Sequence, residues 1–161
     1  MRTFRPARGD DYGFVITRIN DWWGGREMAP MLPPLFFEYL GDTGLIAEDD
    51  GRIVGFLAGF CSTSKPGEAY IHFVGVDPEV RGQGLGRELY ERFFELVRER
   101  GCTSVNAVTS PVNRGSVAFH VSMGFEMVPG DAEVDGLCVH TDHGGPGFDV
   151  VVFRKRVTEG T

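Results

Sequence analysis

Between Arg81 and Glu88 the chain places glycine at positions 82, 84 and 86, directly before a run with helical apolar spacing. Glycine is the costliest residue to order, so three of them at a helix threshold point to a backbone that something must approach closely. The first turn of a helix presents unpaired N–H groups and the positive end of its dipole, and the chemistry suited to such a loop is the holding of a phosphate. Arg81 and Arg87 stand beside the loop as cationic partners for such an anion. Two histidines, His72 and His120, have the side chain best suited to moving protons near neutral pH. The cysteines Cys61, Cys102 and Cys138 show no CxxC spacing and are odd in number, so neither a zinc site nor a disulfide framework is expected.

Three phosphate motifs compete for the glycine loop. A P-loop needs a Gly-Lys pair, and none is present. A dinucleotide fingerprint G-x-G-x-x-G would require glycine where Arg87 or Leu89 stands. The segment Arg81-Gly82-Gln83-Gly84-Leu85-Gly86 instead fits [RQ]-x-x-G-x-[GA] after a strand and before a helix. With "VGVDPEVRGQGLGRELYERFFE" and the later "NRGSVAFHVSMGF", it resembles the GNAT N-acetyltransferase superfamily, closely over about residues 69–125 and in element order elsewhere.

The resemblance implies acetyl-CoA as co-substrate and no metal. The pyrophosphate would lie on Arg81, Gly82, Gln83, Gly84, Leu85, Gly86 and Arg87. The pantetheine arm would pair with the main chain of Val74, Gly75 and Val76, and Asn113 and Ser116 would face it from the later helix. The family's tyrosine, seven residues after the asparagine, is His120 here; it is read as the acid that protonates the leaving thiolate, with a packing or substrate-contacting role as the alternative. An alkylamine of pKa ~10.4 is only about one part in two thousand neutral at pH 7, so a base helps. His72 sits where arylalkylamine acetyltransferases of the family carry a histidine base; Glu68 or Glu38 are alternatives. Val108 replaces the glutamate that peptide acetyltransferases of the family often use. Trp22 and Trp23, adjacent in a glycine-rich stretch, are expected to place one indole at the acceptor site, near Glu38 on a short helix. "HTDHGG" (140–145) reads as a loop at the acceptor mouth rather than a metal site.

These residues need elements to hold them. Arg2–Pro6 can form a short strand, and an aspartate at 10 or 11 can cap a helix running to about Asn20. Residues 21–34 are rich in Gly and Pro, and "LFFEYL" (35–40) reads as a short helix after Pro33-Pro34. Two strands flank the hairpin signal Asp50-Gly51. "AYIHFVGV" (69–76) is apolar on both faces, as in a central strand; alternation would put Ile71 with Phe73, and His72 with Val74 and Val76. Leu85, Leu89, Phe93, Leu96 and Val97 mark an amphipathic helix ended by Gly101. A strand at 103–109, a helix from Asn113 to Gly124 and a last strand at 147–157 follow. The expected fold is α/β (α+β), GNAT-like: a mixed, mainly antiparallel sheet of about six or seven strands, splayed at the cofactor site, with helices on both faces.

The totals agree with this. A chain of 161 residues, 42% hydrophobic and 24% charged, is read as a single domain spanning 1–161. A net charge of -7 argues against a nucleic-acid partner, whose phosphates require Lys and Arg. No apolar run approaches the ~20 residues that cross a bilayer, and "MRTFRPARGDDYGF" has no signal-peptide core, so a cytoplasmic location and no membrane partner are expected. The leading functional expectation is acetyl transfer to a small-molecule amine, with a homodimer as an option. A non-catalytic acyl-CoA sensor and a protein or peptide N-acetyltransferase are the alternatives.

Overall fold

The computed structural model describes residues 1–158. Its frame is a seven-stranded sheet in the order β1-β2-β3-β4-β5-β9-β6, built from β1 (Arg2–Pro6), β2 (Leu45–Asp49), β3 (Arg52–Cys61), β4 (Glu68–Val76), β5 (Ser104–Thr109), β6 (Glu126–Met127) and β9 (Val151–Arg156). Among the described residues only β4 and β5 pair parallel; the other neighbours in this sheet run antiparallel. A parallel pair needs a long crossover, and helix α4 (Leu85–Glu99) supplies it. This is the mixed, mainly antiparallel sheet expected from the sequence.

Each face has its own core. On one, α4 lays down Leu85, Leu89, Phe93 and Val97, joined by Tyr90 and Phe94, whose burial the apolar spacing alone did not predict; Leu96 is only half-buried. Helix α4 lies close on β3 because Gly59 leaves room: a Cβ there would sit 2.7 Å from the Phe93 ring. Helix α5 (Arg114–Ser122) shares this face through Val117 and Phe119. The opposite face is covered by short helices α1 (Tyr12–Ile16), α2 (Ile19–Trp22) and α3 (Leu35–Glu38), which bury Val15, Ile19, Trp22, Phe36 and Phe37 against Ile46, Phe56, Ala58 and Phe73.

Four expectations are corrected. The helix foreseen to about Asn20 is broken at Thr17-Arg18, where the Thr17 hydroxyl donates back to the carbonyls of Gly13 (3.1 Å) and Phe14 (3.0 Å). Asp11 is not a side-chain cap for α1; its carboxylate takes two bonds from Arg5, at 2.7 and 2.9 Å, and one from the Arg8 N–H. The last strand spans Val151–Arg156 rather than 147–157. The fourth concerns β4, whose register against β3 slips between Ala58 and Gly59, leaving His72 as the extra residue. This bulge re-aims the strand: Ile71 faces α4 with Val74 and Val76, whereas His72 and Phe73 both face α1–α3. The strict alternation read from the sequence therefore fails at that point.

A second small sheet pairs β7 (Ala132–Val134) with β8 (Leu137–Val139) around Asp135-Gly136, both at positive φ (52° and 81°). The Asp-Gly pair between short apolar runs is a hairpin signal that the sequence reading passed over.

Candidate functional site

Strands β4 and β5 part company. They pair only from Glu68–Tyr70 to Ser104–Asn106, although β4 continues to Val76 and β5 to Thr109. Beyond the fork β5 stays with β9 along its whole length. The Asp77 N–H donates to the Val54 carbonyl of β3 at 2.8 Å. Backbone groups of successive residues in an antiparallel pair point to opposite edges, so those of Val76 and Val74 point into the fork. Gly75 between them lies against the Phe56 ring, which a Cβ would meet at 2.5 Å.

The glycine loop opens at the upper end of that fork. Gly82 and Gly84 take φ of 80° and 77°, a region costly for other residues, and a Cβ on either would meet nothing within 4 Å. Packing therefore does not account for these two glycines, and backbone conformation does. Glu88 is the first residue of α4 whose N–H is paired, to the Gly84 carbonyl at 3.0 Å. Among the described residues, no acceptor is found for the N–H groups from Gly82 to Arg87. That run, at the N-terminus of a helix of 15 residues, is electrostatically suited to an anion.

The side chains around the loop divide. Leu85 is buried in the core, so only its backbone faces the loop. The Gln83 side chain accepts from Arg2 at 2.9 Å, which also grips Asp49. The Arg81 guanidinium donates to the Trp22 carbonyl, and Arg87 lies along α4 toward Glu91. Across the fork, the Asn113 side chain caps α5 by accepting from the Ser116 N–H at 3.2 Å.

His72 is half-buried, its ring stacked on Phe36 (centroids 4.2 Å, interplanar 4°). Its Nε2 lies 2.6 Å from the Met31 carbonyl. A carbonyl only accepts, so Nε2 carries the proton and Nδ1 the lone pair in the neutral ring. Nδ1 has no partner among the described residues, and no buried side-chain nitrogen or oxygen there is left unpartnered. Nδ1 therefore opens to solvent.

His120 is the reverse. It is 5% exposed, with Nδ1 2.7 Å from the Ser116 carbonyl and Nε2 3.0 Å from the Tyr90 hydroxyl. Burial pushes the Tyr90 phenol up and the His120 imidazole down, the latter opposed by the bond to Ser116. The ring is thus neutral, donating through Nδ1–H and accepting the Tyr90 O–H through Nε2. Phe153 stacks on it at 4.9 Å, and Phe125 meets it edge-on. Such a ring has no free N–H among the described residues, and these surroundings favour the packing alternative for His120 over the general acid.

The remaining candidates separate as well. Trp22 is buried at 4% exposure beside Phe56, a core residue rather than a wall of the site. Trp23 is half-buried, 5.2 Å from Phe73, on the face that carries His72. Glu38 points the other way, its Cγ close to Gly9, because it lies two residues from Phe36 and so on another side of α3. It is not brought to His72. Glu68 is occupied: its Oε1 accepts from Asn106 (3.1 Å) and Arg154 (3.0 Å). His140 Nε2–H donates to the Val128 carbonyl at 3.0 Å, and no group of three or more His, Cys, Asp or Glu gathers among the described residues. Sequence reasoning missed Tyr90, whose role requires knowing which side chain faces it from α5, and the Met31 carbonyl, which no residue type announces.

Residues 14–125 match the model of the family described as Acetyltransferase (GNAT) family. The L-2,4-diaminobutyric acid acetyltransferase of Nocardia farcinica is 33% identical over 81 residues, 50% of this chain and 42% of that protein. The mycothiol acetyltransferase of Saccharomonospora viridis is 33% identical over 149 residues, 83% of this chain and 47% of that protein. The chain thus spans less than half the length of these curated relatives. Among solved structures, a GNAT-family chain from Desulfovibrio desulfuricans superposes with a TM-score of 0.80 at 20% identity, covering 98% of this chain and 100% of that one. The diaminobutyrate acetyltransferase of Paenibacillus lautus, solved with L-2,4-diaminobutyric acid and coenzyme A, gives 0.72 at 20% identity, covering 100% and 98%. These likenesses establish the fold. No described helix is long and apolar enough to cross a membrane.

Proposed function

The chain belongs to the GNAT acetyltransferase family, and from that premise we propose that it transfers an acetyl group from acetyl-CoA directly to the primary amine of a small-molecule acceptor. The observation that carries the reading is the fork between β4 and β5 meeting the run of unpaired N–H groups at the start of α4. An anionic pyrophosphate followed by an extended arm fits that pair of features: the first suits the N–H groups of residues 82–87, the second the free edge at Val74 and Val76. Acetyl-CoA, when bound, supplies the acetyl group as a thioester.

The chain's own residues would do the rest. His72 Nδ1, held open by the Nε2–H bond to Met31, accepts the proton that the amine sheds. The N–H of Val74 or Val76, on the free edge, would stabilise charge on the carbonyl oxygen, a role worth about 3–4 kcal/mol where it has been removed elsewhere. Trp23 and Phe36 wall the acceptor side and limit water there. Asn113 and Ser116 border the arm. With His120 sealed, the thiolate takes its proton from solvent or from the acceptor's own. No metal enters the scheme. The same reading treats residues 1–161 as one catalytic domain of the cytoplasm; a homodimer is tested by light scattering.

The names of the curated relatives support a small amine acceptor, since both concern small molecules. The test is thiol release from acetyl-CoA across alkyl- and arylamines, amino acids, polyamines and short peptides. Release with a small amine supports the proposal; release only with peptides would replace it. The sealing of His120 favours one second reading, a CoA-binding sensor without turnover. CoA would then raise the melting temperature while no amine released thiol.

A further inference from the structure

The scheme above leaves unused half of the sheet face that carries His72. The core under α1–α3 takes strand residues from β2, β3 and β4, and none from β5 or β9. On those two strands Val105, Ala107, Val151 and Phe153 are buried toward α4, so Ser104, Asn106, Arg154 and Arg156 stand on the other, uncovered face. Strand register places Tyr70, Asn106 and Arg154 side by side in one row, starting two residues from His72. The Tyr70 hydroxyl has no partner among the described residues and, burial having pushed its phenol up, remains an O–H donor.

At the far end of this strip lies a cavity of about 530 Å³, lined by Thr103, Ser104, Gly124, Glu126, Arg154 and Arg156. Arg154 is held in place by its neighbours: Nε donates to Asn106 Oδ1 at 2.9 Å and Nη2 to Glu68 Oε1 at 3.0 Å, which leaves Nη1 spare. Arg156 makes no ion pair or side-chain hydrogen bond among the described residues. Two guanidinium groups with spare donors, beside two hydroxyls, match the planar fork of a carboxylate. Glu126 is the one acid in the lining, against two arginines.

We propose that this cavity is an anion subsite for the acceptor: the amine reaches His72 while a carboxylate at the other end of the same molecule lies on Arg156 and Arg154. The inference rests on the acetyltransferase reading and narrows it to an elongated amino acid. Two strands across and four residues along, at roughly 4.8 Å and 3.4 Å per step, separate the Cα atoms of His72 and Arg156 by about 17 Å. Side chains reaching inward from both ends leave about 8–10 Å between amine and carboxylate, more than an α-amino acid spans.

The experiment compares ω-aminooctanoate with octylamine as acceptors for wild type and Arg156→Gln, an exposed substitution. The expected result is a kcat/KM about tenfold or more higher for the acid, lost in Arg156→Gln through a raised KM for the acid alone. No preference in wild type, or an equal effect of the substitution on both amines, overturns the proposal. If neither amine is acetylated, the acetyltransferase reading fails separately and the subsite is judged by binding. ω-Aminooctanoate should then raise the melting temperature of CoA-saturated wild type and leave that of Arg156→Gln unmoved. Identical behaviour of the two proteins, including no response from either, overturns the subsite.

Discussion

His72 and His120 occupy opposite faces of one sheet and show what surroundings do to a single side chain. Both lean on a backbone carbonyl, Met31 for one and Ser116 for the other. Around His120 the second nitrogen is closed by Tyr90 and the ring is enclosed by Phe119, Phe125 and Phe153. Around His72 the second nitrogen is open and only Phe36 stacks on the ring, beside the edge from which β5 has withdrawn. The carbonyl fixes the tautomer in both cases; access to the other nitrogen decides whether the ring can handle a proton or only fill space.

The contrast can be broken most sharply at His72. His72→Ala is expected to lower kcat by ~10²–10⁴ while leaving the urea midpoint close to wild type, as thiol-release kinetics and circular dichroism would report. A variant with normal kcat would remove His72 as the base. His120→Ala should do the opposite. It opens a cavity and strands the Tyr90 hydroxyl, costing about 3 kcal/mol in urea unfolding, with kcat of the folded protein changed less than about tenfold. Should kcat fall by more than that at unchanged stability, His120 would regain a chemical role.

A smaller effect is expected from Tyr90→Phe, about 1–2 kcal/mol, because it leaves His120 Nε2 buried without a donor. The smallest concerns pH. Burial holds the folded His120 below the ordinary value of 6.5, so below about that pH the unfolded chain binds the proton that the folded one refuses. Stability is therefore full above pH 6.5 and declines as pH falls through the interval below it. The urea midpoint should drop between pH 7 and 5.5 in wild type, and that part of the drop should vanish in His120→Phe. An unchanged slope would show that the imidazole is not the group responsible.

The parts legible in the sequence were those governed by neighbours along the chain. Gly82 and Gly84 sit at positive φ in the turn their spacing implied, Asn113 caps α5, and Gly101 and Gly124 close the two helices at positive φ. The apolar repeat of α4 gave Leu85, Leu89, Phe93 and Val97 of its buried face but not Tyr90 and Phe94, and included the half-buried Leu96; the Asp50-Gly51 hairpin lies where its residues suggested. The fork at Val74 and Val76 was foreseen only through family resemblance, since no local rule separates two adjacent strands. What the sequence left undecided depends on where distant segments meet. Two adjacent tryptophans are equivalent in sequence, yet Trp22 is buried against Phe56 and Trp23 is half-buried against Phe73. Glu38 and Phe36, close in sequence, diverge because a helix turns between them.

By itself the sequence determined the glycine loop, the helix it opens and the family to which both belong, because backbone dihedrals, caps and periodic burial depend on residues within a turn or two of one another. Only the tertiary structure decided which histidine is open and which is enclosed. One extra residue in β4 sets His72 on the face of α1–α3, away from Val74 and Val76, and a tyrosine thirty residues away in sequence seals His120. Both outcomes depend on register and packing between elements that composition and spacing do not encode.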